Sequence, residues 1–388
     1  MTQRLVVAGG SGFLGRAVAR HFTALGWEVV ILSRSRPAAP TPGRWVAWDA
    51  LRQGEWVREL DGAAALLNLA GRTVNCRYSA ANMLEIYTSR LDSTRALGCA
   101  MVSVDRPPRV WLNSSTATIY RDARDRPQDE RTGELGTGFS VDVARRWEAA
   151  LMEEELPHTR RVALRTAMVY GLGAGGIMET TDRVVRLGAA GAMAGGGQMV
   201  SWIHERDFCR AAQFLIDLAP GSALEGPVNV TAPQPLPNAA FLRAYRDAWG
   251  VPFGVPSTAA LIGLGAAVMD SEAELLLKSR WVVPSRLLDA GFTFEHPAWP
   301  QAIRNLVAQA RREGHAGHSP ARAVFTSPAG ATFRSLSAAR AYGGGRRQPA
   351  RGSPCPACAR HPRRRGPPER RGGRGAHDVH AAVAGTGR

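Results

Sequence analysis

Short apolar runs alternate with longer segments of helical spacing along the first part of the chain. The apolar runs predict buried strands at Arg4–Ala8, Trp27–Leu32, Ala63–Leu69, Arg109–Asn113 and Arg161–Leu164. Apolar residues at helical spacing predict helices at Phe13–Leu25, Ala80–Val102 and Val141–Glu155. Strands that alternate with helices indicate right-handed crossovers and a parallel sheet. The predicted fold class is therefore α/β, with a doubly wound parallel sheet.

The pattern changes after residue 222, where prolines mark several turns. Helical spacing returns at Asn238–Ala248 and Ser271–Ser279, which indicates a smaller, mostly helical second unit. From about Arg312 onward the chain is mainly Arg, Gly, Pro and Ala. We expect this tail to be disordered, because it cannot bury enough apolar surface to offset its ordering entropy. The predicted domains are residues 1–222, 223–311 and 312–388.

The formal charge of +16 on 388 residues is concentrated in the tail. Residues 311–388 hold 16 arginines and 3 acidic residues, which leaves 33 basic and 30 acidic residues in a nearly neutral body. Without a fold or interleaved aromatic residues, such a tail binds nucleic-acid phosphates only nonspecifically. No specific nucleic-acid partner is therefore expected.

Neither a membrane span nor a metal site is predicted. The most apolar stretch, Pro256–Met269, is shorter than the roughly 20 residues of a membrane span. The N-terminal residues lack the pattern of a secretory signal, and the five cysteines form no disulfide framework, so we expect a cytoplasmic protein. Cys355, Cys358 and the histidines that follow them lack the spacing and the hydrophobic core of a zinc finger.

A glycine-rich turn separates the first predicted strand from the first helix. It reads Gly9-Gly10-Ser11-Gly12-Phe13-Leu14-Gly15. Gly9 permits the tight turn, Gly12 lets the backbone approach a pyrophosphate, and Gly15 lets the helix pack closely on the sheet. The N–H groups at the start of the helix, from Phe13 and Leu14 onward, are then available to the anion. This context predicts a dinucleotide-binding turn.

The end of the second strand distinguishes between the two nicotinamide dinucleotides. A carboxylate at this position would bind the ribose 2′-hydroxyl of NAD(H), but the chain has Ser33, Arg34, Ser35 and Arg36. Two guanidinium groups suit the 2′-phosphate of NADP(H). We therefore favour NADP(H) as the cofactor and keep NAD(H) as the alternative.

Three segments carry a family resemblance. The glycine turn, Asn68-Leu69-Ala70-Gly71 and residues 113–120 together resemble the extended short-chain dehydrogenase/reductase superfamily. Residues 89–94, 201–207 and 274–294 further resemble an atypical epimerase-like family, related to NAD-dependent epimerases and dehydratases, with a small C-terminal domain of unknown function. The resemblance spans residues 3–305. It implies a Rossmann-type fold and leaves open a homodimer formed through two helices.

The same resemblance implies roles for individual residues. Ala70 and Gly71, in the segment that begins at Asn68, would border the adenosine and its ribose. Ser114 would lie on the nicotinamide side of the cleft. Thr116 falls where the superfamily keeps a hydroxyl that hydrogen-bonds the substrate oxygen.

The superfamily's proton-transfer residues are altered in this chain. Relatives use a tyrosine whose pKa is lowered by a lysine on the same helix, and the corresponding positions here are Phe139 and Val143. Arg90 stands where many relatives have an asparagine that orders a relay water. The chain's one lysine, Lys278, lies too far along the sequence to be an obvious substitute.

Three interpretations follow from these changes. In the first, the protein is an NADP(H)-dependent oxidoreductase or nucleotide-sugar epimerase-like enzyme in which Tyr120, Tyr170 or His204 donates the proton. Arg90, together with Tyr170 and Trp202, would then bind a small-molecule substrate of unknown identity. In the second, the protein binds NADP(H) as a sensor or scaffold, and the tyrosines and His204 only pack or cap a helix. In the third, the tail tethers the protein to nucleic acid; we favour the first.

Overall fold

The computed structural model describes residues 2–37, 41–219, 221–260 and 274–314. The strands are Arg4–Ala8 (β1), Glu28–Ser33 (β2), Arg44–Ala47 (β3), Ala65–Asn68 (β4), Val110–Thr116 (β5), Arg160–Thr166 (β6), Met168–Tyr170 (β7), Met199–Val200 (β8), Trp202–His204 (β9), Gly226–Val230 (β10) and Leu236–Pro237 (β11). The α-helices are Phe13–Ala24 (α1), Ala80–Ser103 (α2), Phe139–Leu151 (α3), Ile177–Arg186 (α4), Glu205–Asp217 (α5), Asn238–Trp249 (α6), Glu274–Leu277 (α7), Ser285–Asp289 (α8) and Trp299–Arg312 (α9).

The main sheet has seven strands in the order β10-β6-β5-β4-β1-β2-β3. Every neighbouring pair is parallel, so the predicted doubly wound α/β fold is confirmed. The strand order reverses between β1 and β4, which is the topological switch point where such sheets bind ligands beyond their carboxyl ends. The predicted glycine turn follows β1 directly and therefore lies at this point.

Alternate residues of each central strand are buried on opposite faces of the sheet. Leu5 and Val7 pack against α1 and α5 on one face of the sheet, whereas Val6 and Ala8 pack against α2 on the other face. Burial on both faces explains why β1 reads as a nearly continuous apolar run rather than as an alternating one. The five predicted strands of the sheet agree with the structure to within a few residues.

The two outermost strands, β3 and β10, were not predicted from the sequence. In β10, Pro227 pairs with Ala163 of β6 at the edge of the sheet. A proline lacks the N–H donor of a ladder, and an edge strand tolerates this loss. The residue that was interpreted as a turn marker thus lies within a strand. β3 lies at the other edge and is only partly buried, so its apolar signal is weak.

A further apolar core lies outside the main sheet. It combines Tyr170 and Trp202 with Phe241, Tyr245 and Trp299. The predicted boundary at residue 222 does not separate the two regions, because β10 completes the main sheet while residues before 222 enter this second core. Packing between segments distant in sequence decides this division.

Two predictions fall largely beyond the described residues. The tail lies outside them from residue 315 onward, with the cysteines and histidines considered for zinc. The predicted helix at residues 271–279 is described from Glu274, and Glu274–Leu277 is helical. Across the described ranges, no helix is both long enough and apolar enough to cross a membrane.

Candidate functional site

The glycine turn packs tightly between β1 and its neighbour β4. Gly9 has a φ of 75°, and a Cβ atom added there would lie 2.7 Å from the backbone nitrogen of Ala70. A Cβ atom on Gly15 would lie 2.4 Å from the Cα atom of Gly10. Gly9 is thus required by the left-handed backbone and Gly15 by the close approach of α1 to the turn, as predicted.

The amino end of α1 is open to a ligand. Gly12 caps the helix in an extended conformation, and no side chain hydrogen-bonds the free N–H groups of its first turn. That turn carries no acidic residue, and a Cβ atom on Gly12 would have only the Gly9 carbonyl oxygen nearby, at 3.7 Å. An uncapped helix start with a positive dipole end favours an anion such as a diphosphate.

The residues after β2 divide into structural and exposed positions. Ser33 is buried; its Oγ donates to the Ser35 carbonyl oxygen at 2.7 Å and accepts from Trp45 Nε1 at 3.1 Å. Its hydroxyl is thus already engaged within the protein, and its role in cofactor binding stays a prediction. Arg34 and Arg36 are exposed at the carboxyl end of β2, where their guanidinium groups can meet a ligand phosphate.

Asn68 belongs to a buried network that holds the strand ends together. Its Nδ2 donates to Asn113 Oδ1 at 2.7 Å and to Thr94 Oγ1 at 3.2 Å, and its Oδ1 accepts from the Ala70 N–H at 3.0 Å. Trp147 Nε1 donates to the same Thr94 hydroxyl at 3.0 Å. Asn68 therefore shapes the loop that contains Ala70 and the exposed Gly71, and it has no exposed surface for direct contact with a cofactor.

A cleft of about 340 Å³ opens beyond the carboxyl ends of β5 and β6. Five of the predicted site residues line it: Phe13, Leu14, Arg90, Ser114 and Thr116. The described residues that line it and were not predicted as site residues are Val74, Tyr78, Ile86, Ser115, Thr118, Phe139, Ser140, Val143, Trp147, Thr166, Ala167, Met168, Val169, Gly175, Gly176 and Ile177. The start of α1 and the ends of the central strands thus share one concave surface.

Hydroxyl groups cluster at the floor of the cleft. Thr116 Oγ1 donates to Thr118 Oγ1 at 3.0 Å and accepts from the Thr118 N–H at 3.1 Å. Ser115 also lines the cleft, but its hydroxyl is engaged because it donates to Glu148 at 2.6 Å. Ser114 is half-buried beside Thr116 and lines the cleft. The Ser114 hydroxyl is therefore placed to donate to an oxygen of a bound molecule, whereas the Thr116 hydroxyl proton is engaged by Thr118.

Arg90 brings a half-buried positive charge to the wall of the cleft. Its guanidinium donates to the carbonyl oxygens of Ile86 and Arg72, at 3.1 and 3.0 Å, and lies 5.1 Å from the centre of the Trp147 ring. Burial lowers the pKa of Arg90 to about 10, which still leaves it charged at neutral pH. No carboxylate forms an ion pair with it within the described residues.

The position of the missing tyrosine is filled by an aromatic cluster. The Phe139 ring contacts Tyr78 and Tyr87, with ring centres 4.9 and 5.2 Å apart. The Tyr87 hydroxyl donates to Asp142, and burial together with this bond raises the pKa of Tyr87 to about 12. Tyr78 instead lines the cleft beside Arg90. Among the described lining residues, Tyr78 and Arg90 are the ones with a phenol or a charged side chain.

Tyr120 was predicted as a proton donor, but the structure places it outside the cleft. Its ring is 2% exposed, and its hydroxyl donates to Asn229 Oδ1 and accepts from Arg165 Nη1, both at 2.9 Å. Arg165 also forms a two-point ion pair with Glu148 at 2.8 Å. The phenol is thus a member of a buried network that joins β5, β6 and β10, and burial raises the pKa of Tyr120.

His204, the second predicted donor, has a structural role. Its Nδ1 accepts from the Arg206 N–H at 3.0 Å and caps α5, and its ring stacks on His296 at 3.9 Å. The side chain is 3% exposed, does not line the cleft, and burial lowers its pKa to about 3. A histidine that stays neutral and capped does not exchange protons with a ligand near neutral pH.

Tyr170 and Trp202, predicted to bind substrate, lie in the second core instead. Tyr170 packs against Phe241 and Trp299, and burial raises its pKa. The Trp202 ring is fully buried and its Nε1 donates to the Gln234 carbonyl oxygen at 3.3 Å. Both predictions are wrong, because these two side chains are packed in the second core and do not line the cleft.

Tyr78, the phenol that does line the cleft, was not among the predicted site residues. It precedes α2, which begins at Ala80 after the capping residue Ser79. Its contact with Phe139 joins segments 61 residues apart in the chain. The available signal was the absence of a tyrosine on α3, which makes every other half-buried tyrosine a candidate.

Comparison with known proteins agrees with this geometry. Residues 5–230 match the model of the NAD dependent epimerase/dehydratase family. The chain belongs to the NAD-dependent epimerase/dehydratase family. Residues 260–306 match a domain of unknown function, DUF1731. Both assignments confirm the resemblance inferred from the motifs.

Individual relatives of this epimerase/dehydratase family member cover most of the chain. Epimerase family protein SDR39U1 of Bos taurus is 33% identical over 312 residues, which are 79% of this chain and 100% of the relative. Epimerase family protein Mb2239 of Mycobacterium bovis is 31% identical over 301 residues, which are 77% and 96% of the two chains.

Solved structures show the same architecture. The crystal structure of human epimerase family protein SDR39U1 (isoform 2) with NADPH has a TM-score of 0.70 and 28% identity, and the match covers 79% of this chain and 99% of the human one. A nucleoside-diphosphate sugar epimerase from Corynebacterium glutamicum has a TM-score of 0.62 at 23% identity, covering 81% and 62%; it shares the fold.

Proposed function

We propose that the protein is an NADP(H)-dependent oxidoreductase whose substrate binds in the cleft beyond β5 and β6. The observation that carries this proposal is the junction of two features. The uncapped start of α1 after the glycine turn opens onto the same concave surface as the hydroxyl groups of Ser114 and Thr116. The NADPH-bound structure of human epimerase family protein SDR39U1 supports the choice of cofactor.

The residues present fit a nicotinamide dinucleotide. The N–H groups that follow Gly12 would hold the diphosphate, since neither a side-chain cap nor an acidic residue competes for them. Arg34 and Arg36, exposed after β2, would hold the 2′-phosphate of NADP(H). The loop of Ala70 and Gly71 would border the adenosine side. When bound, the cofactor supplies or accepts a hydride.

Hydride transfer to a carbonyl group requires a proton for the oxygen. The cleft offers one phenol among the described lining residues, that of Tyr78. We infer that Tyr78 donates this proton while the Ser114 hydroxyl holds the substrate oxygen in place. Arg90 lies on the same wall of the cleft and is charged at neutral pH.

The test is a screen of NADPH oxidation against carbonyl compounds, followed by two tyrosine variants. Tyr78→Phe is expected to lower kcat by roughly 100-fold, the lower end for a general acid, with the Kd for NADPH unchanged. Tyr87→Phe is the matched control, because Tyr87 packs on the same Phe139 ring and bonds Asp142. Equal activity of the two variants would remove Tyr78 from the mechanism.

The second candidate function is a non-catalytic NADP(H) sensor or scaffold. Phe139 and Val143 at the positions of the superfamily's tyrosine and lysine favour it, since neither side chain transfers a proton. The two functions differ in one measurable result. NADPH binding without turnover of any carbonyl or nucleotide-sugar substrate would favour the sensor.

Formation of a homodimer remains a prediction, tested by sedimentation equilibrium.

A further inference from the structure

Arg90 places an uncompensated charge at the wall of the cleft. A buried guanidinium is costly unless its charge is paired or its donors are satisfied. The two hydrogen bonds of Arg90 go to carbonyl oxygens, which carry only partial charge, and its face rests on Trp147. A guanidinium has five N–H donors, so further donors remain for a ligand.

Two other arginines, Arg165 and Arg95, form the ion pairs that are typical of arginines with a structural role. Arg165 is more deeply buried than Arg90, and both of its terminal nitrogens and its Nε are bonded to Glu148 and Tyr120. Arg95, one turn beyond Arg90 on α2, forms a two-point ion pair with Glu153 at 2.8 Å. Within the described parts of the chain, Arg90 differs from both in having no carboxylate partner while it lines a cleft.

The remaining walls of the cleft are mostly apolar. They are formed by Phe13, Val74, Ile86, Phe139, Met168 and Ile177, among others. Neither an amide nor a carboxylate side chain belongs to the described lining. A sugar ring presents several hydroxyl groups, and the described lining offers them hydroxyl side chains and Arg90 but no amide or carboxylate partner.

The charge of the cleft also limits which anionic group a ligand can carry. Arg90 is the one cation of the lining within the described ranges, so it balances a single negative charge. A phosphate monoester carries about −1.5 to −2 at neutral pH, whereas a carboxylate carries one charge and presents two oxygens to the guanidinium fork. The cleft volume of about 340 Å³ is at the low end for ligand sites.

We propose that the substrate is a small carbonyl compound with one carboxylate and an apolar body, such as a branched or aromatic 2-oxo acid, and that Arg90 binds its carboxylate. This inference rests on the proposed function for its carbonyl group and on Arg90 for its charge. The proposed substrate differs from a nucleotide sugar, the substrate class of many enzymes of this fold.

The reaction balances with the groups already assigned. The carbonyl carbon gains a hydride, and the carbonyl oxygen gains the phenolic proton of Tyr78. The carbonyl acid becomes a hydroxy acid, NADPH becomes NADP⁺, and a proton from solvent restores the phenol. No further oxidant or reductant is needed.

The first experiment measures binding rather than turnover. Benzoate and its neutral analogue benzamide are titrated calorimetrically into the full-length protein, with and without NADP⁺. Because the two probes share shape and differ in charge, benzoate is expected to bind at least tenfold more tightly. Equal affinities would overturn the role of a positive site, and this result requires no variant.

Variants then assign the charge to Arg90. Arg90→Gln is expected to abolish the preference for benzoate, and Arg90→Lys to retain part of it, because lysine keeps the charge without the fork. Arg95→Gln, on the same helix and away from the cleft, is the matched control and is expected to behave as the parent protein. Circular dichroism and the Kd for NADPH verify the fold of each variant.

Turnover completes the test and separates the two proposals. Phenylpyruvate is expected to be reduced by NADPH, and UDP-glucose is expected neither to displace benzoate nor to react. Displacement of benzoate by UDP-glucose, or turnover of nucleotide sugars alone, would overturn this substrate class and leave the oxidoreductase intact. Failure to bind NADPH would instead overturn the proposed function, whatever the benzoate result.

Discussion

At the scale of single residues, burial separates the chemically available groups from the structural ones. Tyr120, Tyr170 and His204 have proton-transfer side chains, yet each is at most 3% exposed. Buried polar groups are normally hydrogen-bonded within the protein, and the Tyr120 hydroxyl and the His204 Nδ1 atom follow this rule. Tyr78 and Arg90 are less enclosed and share the cleft, so the candidate chemistry moves to them.

Arg34 is expected to determine the choice of cofactor. Because its guanidinium is exposed after β2, Arg34→Ala removes a charge-assisted hydrogen bond to the 2′-phosphate, worth about 1.5–3 kcal/mol. The Kd for NADPH should rise by about tenfold or more, and the Kd for NADH should stay constant, as measured by calorimetry. Arg106→Ala is the control, because the Arg106 side chain is 74% exposed and precedes β5, at the amino ends of the strands. An equal loss for both cofactors would contradict this role.

Glu205 is expected to make stability fall as the pH rises. Its Oε2 atom is buried without a hydrogen-bond partner, and burial raises the pKa of Glu205 from 4.5 to about 7. The folded state therefore binds the proton more tightly, so this contribution is complete below pH 4.5 and is lost as the pH rises through 7. Glu205→Gln should raise the free energy of unfolding relative to the parent by a few kcal/mol at pH 8 and by little at pH 4.5.

Urea titrations at several pH values measure this difference. His204 contributes with the opposite sign, since burial lowers its pKa to about 3, but its contribution is common to both proteins and cancels. Glu55→Gln, whose carboxylate is 87% exposed, is the matched control and should show a small difference at every pH. A pH-independent effect of Glu205→Gln would refute the assignment.

At the scale of secondary-structure elements, the turn between β1 and α1 combines two separate requirements. Gly15 is needed by the fold, because a side chain there meets the Gly10 backbone. Gly12 has space around it and a φ of −75°, which any residue adopts, so the fold does not require glycine at that position. Its small size matters only if a ligand lies against it.

Two alanine substitutions test this distinction. Gly15→Ala should lower the free energy of unfolding by about 1–3 kcal/mol, the usual cost of overpacking. Gly12→Ala should leave the urea midpoint nearly unchanged and weaken NADPH binding at least tenfold, because its methyl group would occupy the space of the diphosphate. Unaltered NADPH affinity of Gly12→Ala would argue against the proposed position of the cofactor.

At the scale of the whole molecule, the main sheet and the second core depend on each other's segments. α9 buries Trp299, Ile303 and Leu306 in the second core, and it ends at Arg312. Within the described residues, α9 is therefore the last of the helices and strands. The basic tail that follows contributes most of the net charge.

Truncation after Gly314 should leave the free energy of unfolding and the Kd for NADPH unchanged, while salt-sensitive binding to nucleic acid is lost. A shorter chain that ends at Pro297 lacks the buried Trp299 and should lose the second core, as seen by near-ultraviolet circular dichroism. Nucleic-acid binding that survives the first truncation would show that the body, and not the tail, carries it.

The sequence by itself determined the sheet's central strands, the helices α1 to α3 and the glycine turn. Apolar periodicity and glycine spacing depend on residues close together in the chain, and Gly9, Gly12 and Gly15 act within one turn. The edge strand β10 was hidden because Pro227 has the same local signature in a turn and at a sheet edge.

Only the tertiary structure decided which side chains line the cleft. Tyr120 and Tyr170 follow strands at the predicted edge, but packing against Asn229 and Trp299 turned both away from the ligand. Tyr78 reaches the cleft because its loop packs against Phe139, far along the chain. The direction and burial of a side chain depend on contacts between distant segments, and these are formed only when the elements pack together.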